Sequence, residues 1–259
     1  MKRKPSVMLG IAAYVLYVVV IVGLTMAIGP DYDEIGDSVD TLAMGVLLPI
    51  GAGVLGVVVL ATVYGWWGPI LRDRARARHA WIIILPIVTL AIAVANLATV
   101  DFGAVDLTYL LVLVLAMLLV GFGEELTTRG VLLVGARGSM GEVGVFFVTT
   151  GLFALMHSSN VLFGQDAAVT AQQVGVTFVY GAGYYVMRRA TGSLIPAMLM
   201  HATWDFSLLL SDKAGEPSEA VATLGMLTLY VLTIPCVIFA IRGAKERLGT
   251  VAAAADATV

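Results

Sequence analysis

Glu124 and Glu125 stand side by side in the stretch Gly-Phe-Gly-Glu-Glu-Leu-Thr-Thr-Arg-Gly, residues 121–130, between two apolar segments, 107–120 and 131–134. A charged group in such surroundings costs roughly 2.5–3.5 kcal/mol on insertion scales, so its presence asks for a function. On a helix the two glutamates point about 100° apart and cannot share one task. Glu125 precedes Arg129 by four positions, in the acid-before-base order that favours a helical ion pair. Glu124 is then left over, facing the side of Thr127 and Thr128 without a cation of its own. Two histidines also lie inside apolar segments: His157, four residues after Phe153, and His201, four residues before Asp205. That spacing puts each pair on one helical face. A carboxylate and two imidazoles meeting in a dry pocket can hold and deprotonate a water. Glu124 would be the general base, and the histidines would bind a developing oxyanion or ligate a metal that keeps an open position. Asp205, directly or through a water, would orient His201. The helical zinc-protease pattern H-E-x-x-H is absent. Ser158 and Ser159 read as loop residues, so no serine nucleophile is supported.

These groups must be positioned by helices in lipid. The 259 residues are 59% hydrophobic and 13% charged, about half the charged fraction of a soluble domain. Eight spans can be placed: 7–28, 41–67, 81–100, one starting near 107 that holds the glutamates, 143–163, 167–187, 194–210 and 220–241. The expected architecture is therefore all-α, a single integral membrane domain over 1–259 with a disordered Ala-rich tail at 248–259. The basic start followed by an apolar run reads as an uncleaved first span, too long for a signal peptide. Trp66 and Trp67 are expected to mark a membrane interface. Glu124, His157 and His201 then fall within a slab of about 10 Å near mid-membrane, a gap that ordinary helix tilt can close.

The basic residues test the span count. With eight spans, every lysine and arginine except Lys213 falls on the side of the termini, which makes both termini cytoplasmic. The run Arg72, Arg74, Arg76, Arg78 is accordingly a topology signal rather than a nucleic-acid patch, and His79 beside it is solvated. Cys236, the one cysteine, excludes an intrachain disulfide and a cysteine-based metal site.

Glu124-Glu125-x-x-x-Arg129, Phe153-x-x-x-His157 and His201-x-x-x-Asp205 resemble, in order and separation, the three motifs of the CPBP intramembrane protease family. That family includes type II CAAX prenyl endopeptidases and bacterial proteins linked to bacteriocin processing or self-immunity. The match covers a core of about 107–210. The resemblance implies an eight-helix bundle whose cavity opens toward the cytoplasm and lipid. In it Glu124 activates water, His157 and His201 assist at the scissile carbonyl, and Asp205 takes the place of an Asn or Asp. Glu125, Arg129 and Phe153 shape the site. The family carries a metalloprotease label, and both a metal-free scheme and one with zinc or another divalent ion on Glu124, His157 and His201 are compatible with the motifs.

The expected function is an intramembrane endopeptidase whose partners are membrane lipids and a membrane-anchored or lipidated protein or peptide, with no nucleic acid. Two alternatives use the same residues: a non-catalytic immunity or scaffold protein of this family, and a proton-coupled transporter. The transporter is disfavoured because no internal repeat or matched pair of broken helices is present.

Overall fold

The computed structural model describes residues 2–74, 76–216 and 219–256, the side chains of 243–256 excepted. Among these residues no strand forms; two isolated bridges, Arg72 to Ser193 and Val100 to Gly215, tie loops to one another. The long helices are α1 (Val7–Ile28), α2 (Val39–Tyr64), α3 (Ala80–Leu97), α4 (Leu107–Arg137), α5 (Glu142–Phe163), α6 (Ala167–Thr191), α7 (Ile195–Ala214) and α8 (Glu219–Asp256). α1 to α5, and α8 as far as Arg242, are the six that are long and apolar enough to cross a membrane. α6 and α7, at 25 and 20 residues, have the length. Their composition is diluted, by Gln172, Gln173 and several tyrosines in α6 and by His201, Asp205 and Asp212 in α7. Leu55, Val94, Leu111, Phe147 and Val231 are exposed on five different helices, an apolar exterior that suits lipid.

Local chemistry sets the helix starts. Ser38 and Thr41 form a reciprocal capping box at α2. Asp106 accepts from Tyr109 N at 3.1 Å to open α4, and Asp166 accepts from Ala168 N and Val169 N to open α6. Some expected limits shift. α2 ends at Tyr64 rather than 67, because Gly65 takes the left-handed conformation (φ 69°) that closes the helix, and Trp66 beyond it is wholly buried, its indole N–H donating to Arg3 O at 2.7 Å. α8 remains helical to Asp256, overlapping the segment expected to be a disordered tail, and 257–259 lie outside the described residues, as do the side chains of Lys245 and Arg247.

The bundle has two distinguishable ends. At one, Lys2 N and Arg3 N bond Tyr64 O, Ala77 N bonds Arg189 O, Leu194 N bonds Leu71 O, and Val7 N bonds Ser139 Oγ. This end gathers the N-terminus with loops 65–79, 138–141 and 192–194. At the other end Tyr109 Oη and Lys213 Nζ donate to Gly36 O and Asp37 O, and Asp101 N donates to Ala214 O. We call the first the basic end and the second the acidic end, after the side chains of their loops. One apolar core joins α3, α5, α6, α7 and α8, and another joins α1, α2, α4 and α7. α7, packed on α3, α4 and α6, belongs to both.

Candidate active site

α4 carries the glutamates at a change of helical winding. It is α-helical to Glu125 and π-helical over Leu126–Leu132. The wider winding leaves carbonyls for side chains to bond: Thr127 Oγ1 donates to Gly123 O at 2.7 Å and Thr128 Oγ1 to Glu124 O at 2.6 Å. π-turns of this kind gather at functional sites. Arg129, fully buried, donates to Glu125 Oε1 at 2.8 Å, to Thr128 Oγ1 at 3.1 Å and to Gly181 O at 2.7 Å. Its guanidinium lies 4.0 Å from the centroid of the Phe153 ring. The expected ion pair is therefore present, and α5 and α6 hold its cation in place.

α4 and α7 come close because Gly121 has no side chain. A Cβ there would stand 2.5 Å from Met198 O and 2.8 Å from Ala202 N. This approach brings His201 onto the glutamates. His201 Nε2 lies 3.8 Å from Glu124 Oε2 and 3.2 Å from Asp205 Oδ2, and Nδ1 lies 3.3 Å from Glu125 Oε1. The two glutamates thus share one neighbour. They diverge on their own helix, but the His201 ring is large enough to face one with each nitrogen. The ring is stacked on Tyr184 at 4.5 Å between centroids, and Phe153 meets it edge-on at 5.5 Å.

His157 sits where α5 tightens into a 3-10 turn, His157–Phe163. Its Nδ1 is 3.0 Å from Phe153 O. A carbonyl can only accept, so Nδ1 carries the proton and Nε2 of the neutral ring keeps its lone pair. Phe153 also packs against this ring, at 5.4 Å, so one phenyl group touches both imidazoles and the arginine.

A cavity of about 1050 Å³ joins these groups, with Glu124, His157 and Asp205 in its wall. Glu124 is buried, and its Oε2 has no hydrogen-bond partner among the described residues. Tyr17 Oη, also buried without a partner, lines the same space. The remaining wall is partly apolar, with Ile21, Val46, Ile50 and Met117, and partly polar at the far side, where Asn160 donates to Gln173 and Gln173 to Tyr32. All seven residues expected from the sequence, Glu124, Glu125, Arg129, Phe153, His157, His201 and Asp205, are gathered around or behind this cavity. Tyr17 and Tyr184 were not anticipated. The only hint of Tyr184 is its place after Gly181-Ala182-Gly183, a run small enough to let an aromatic ring approach α7.

Glu124, His157 and His201 do not form a ligand set as they stand. Among the described residues no three His, Cys, Asp or Glu side chains converge on a point where an ion could sit, and both nitrogens of His201 face carboxylates. The donor set does not fit a bound metal in this arrangement.

The cavity's mouth is at the acidic end, among exposed Asp33, Asp37, Asp212 and Lys213. Cytoplasmic termini, expected from the basic residues, and a cytoplasmic mouth, implied by the family resemblance, are therefore incompatible, because the N-terminus and the mouth are at opposite ends. Comparison with curated proteins gave no match. Residues 106–207 match the model of the family described as type II CAAX prenyl endopeptidase Rce1-like, so the core that carries the three motifs is similar to that family over the whole stretch the motifs span.

Proposed function

We propose that the protein is an intramembrane endopeptidase of the CAAX type, that it crosses the membrane eight times with both termini cytoplasmic, and that Glu124 is its general base. The observation that carries this reading is a buried carboxylate with an unpaired oxygen, set in the wall of a large cavity that His157 also lines and 3.8 Å from His201. A buried polar atom without a partner costs about 1–3 kcal/mol and is tolerated where catalysis uses it.

Glu124 takes one proton from a water in the cavity while the water oxygen attacks the scissile carbonyl carbon. The bare Nε2 of His157 accepts the water's other hydrogen and so aims its lone pair. The tetrahedral oxyanion is met by the N–H of His201 Nε2, which it shares with Asp205 Oδ2, 3.2 Å away, while Glu125 Oε1 faces Nδ1 and holds the ring from the other side. The C–N bond then breaks, and Glu124 returns its proton to the leaving amine. Glu125, Arg129, Phe153 and Tyr184 fix the His201 ring from behind and do not touch substrate.

Comparison of membranes from cells making wild-type protein or Glu124→Gln tests this directly. A membrane polypeptide that accumulates uncut only with the variant is the expected result. Cleavage that persists in Glu124→Gln would remove the mechanism.

A further inference from the structure

The two halves of the bundle differ in a way that decides which face of the membrane the site serves. Toward the basic end, α4 is buried without interruption from Gly123 to Ala136. The plug around it is polar and held by buried ion pairs and hydrogen bonds. Arg188, wholly buried, donates to Ile70 O and Pro69 O at 2.8 Å each, to Arg129 O and to Asp73 Oδ1. Asp73 in turn is held by Arg137 and Arg189. A second cavity at that end, about 610 Å³, is lined by loop residues such as Arg72, Arg74 and Ser193 and by none of the site residues. Toward the acidic end there is no such plug among the described residues, and the large cavity runs from Glu124 to a mouth with exposed Asp33, Asp37 and Asp212.

The charges of the two ends are as unequal as their packing. Lys2, Arg3, Lys4, Arg72, Arg74, Arg76 and Arg78 are in loops of the basic end. At the acidic end, the loops from Gly29 to Ser38 and from Ala98 to Asp106, together with the α7–α8 turn, contribute carboxylates and a single lysine, Lys213. Positive charge retained on the cytoplasmic side is the strongest orientation signal a helical membrane protein carries. From the plug, the mouth and this bias together, we infer that the catalytic cavity is reached from the extracytoplasmic side, and that its substrate is a membrane-anchored polypeptide whose scissile bond enters the cavity from that side.

The substrate clause rests on the protease reading, but the direction of access does not, and the test separates them. In a Cys236→Ser background, single cysteines are introduced at Asp33 and Asp37 for the mouth and at Arg74 and Arg76 for the other end, all exposed positions. Intact cells are treated with a membrane-impermeant maleimide. Labelling of the Asp33→Cys and Asp37→Cys proteins before permeabilisation, and of the Arg74→Cys and Arg76→Cys proteins only after it, is expected. The reverse pattern overturns the inference even if Glu124-dependent cleavage is found. A Ser159→Cys protein, with its cysteine in the cavity wall, should react from outside with a small charged thiosulfonate, and its protection there with reaction from inside would also overturn it. If the labelling is as expected and no polypeptide depends on Glu124, the protease reading fails and the direction of access stands. A polypeptide that does accumulate with Glu124→Gln should present its cut site to the extracytoplasmic side, and a cut site accessible only from the cytoplasm would overturn the substrate clause.

Discussion

Two adjacent glutamates with the same side chain should fail in opposite ways. Glu124→Gln is expected to lower cleavage by roughly 10²–10⁴, the usual contribution of a positioned acid or base, while the thermal unfolding of the protein in detergent stays close to wild type. Glu125→Gln leaves Arg129 buried without its counter-charge. Breaking a buried pair costs about 3–5 kcal/mol, so this variant should unfold at markedly lower temperature, and because Glu125 Oε1 also faces His201 Nδ1 its activity per folded molecule should fall too, though less than in Glu124→Gln. The division between the two is legible in the sequence because an i,i+4 pair is a local relation that needs no tertiary contact. The place of His201 between both carboxylates is not legible, since it depends on how α7 crosses α4. The same holds for the tautomer of His157, which is set by the carbonyl of Phe153.

At the scale of elements, glycines set the spacing of the site. At Gly121 an added methyl would meet two backbone atoms of α7, Met198 O and Ala202 N, neither of which can rotate away. Gly121→Ala should therefore push α7 outward and separate His201 from Glu124. Over-packing of this kind costs typically 1–3 kcal/mol, and the expected signature is a fall in turnover larger than the fall in folded protein, read from cleavage per folded molecule. Gly181→Ala would press on Arg129 Nη2 at 2.5 Å and on the Phe153 ring at 2.8 Å, and should cost stability first, seen as a lower unfolding temperature. Hydropathy is enough to locate the helices, because a span must be apolar over its length whatever it packs on. It cannot show the π-helical stretch Leu126–Leu132, where Thr127 and Thr128 bond back to the carbonyls of Gly123 and Glu124. Nor does it single out α6 and α7 as spans by composition, because they carry the polar groups that the site uses. Trp66 illustrates the limit in another way: the sequence places a tryptophan near a span's end, and only the fold shows its indole turned inward to Arg3.

For the whole molecule, the decisive carboxylate outside the site is Asp73, in a loop that the sequence marks only as basic. It bridges Arg137, Arg188 and Arg189, from α4 and α6. Burial alone would raise its pKa, but Arg188, Arg137 and Arg189 outweigh burial and hold the carboxyl well below the usual carboxylate range. Because the folded-state value lies below the unfolded one, near 4, the stabilisation is complete above that pH and is lost only as pH falls through the folded-state value. Asp73→Asn should thus unfold at lower temperature than wild type by a constant margin from neutral pH to about 5, and the margin should close in stronger acid. The same knot of charges has an electrical meaning. A water-accessible hollow that reaches halfway through a bilayer thins the insulating layer to the remaining half, across which the full membrane potential then drops. In the orientation proposed above the closed stretch of α4, with Arg188 and Asp73 at its end, would be that barrier, and Asp73→Ala in liposomes should relax a proton gradient faster than wild type does.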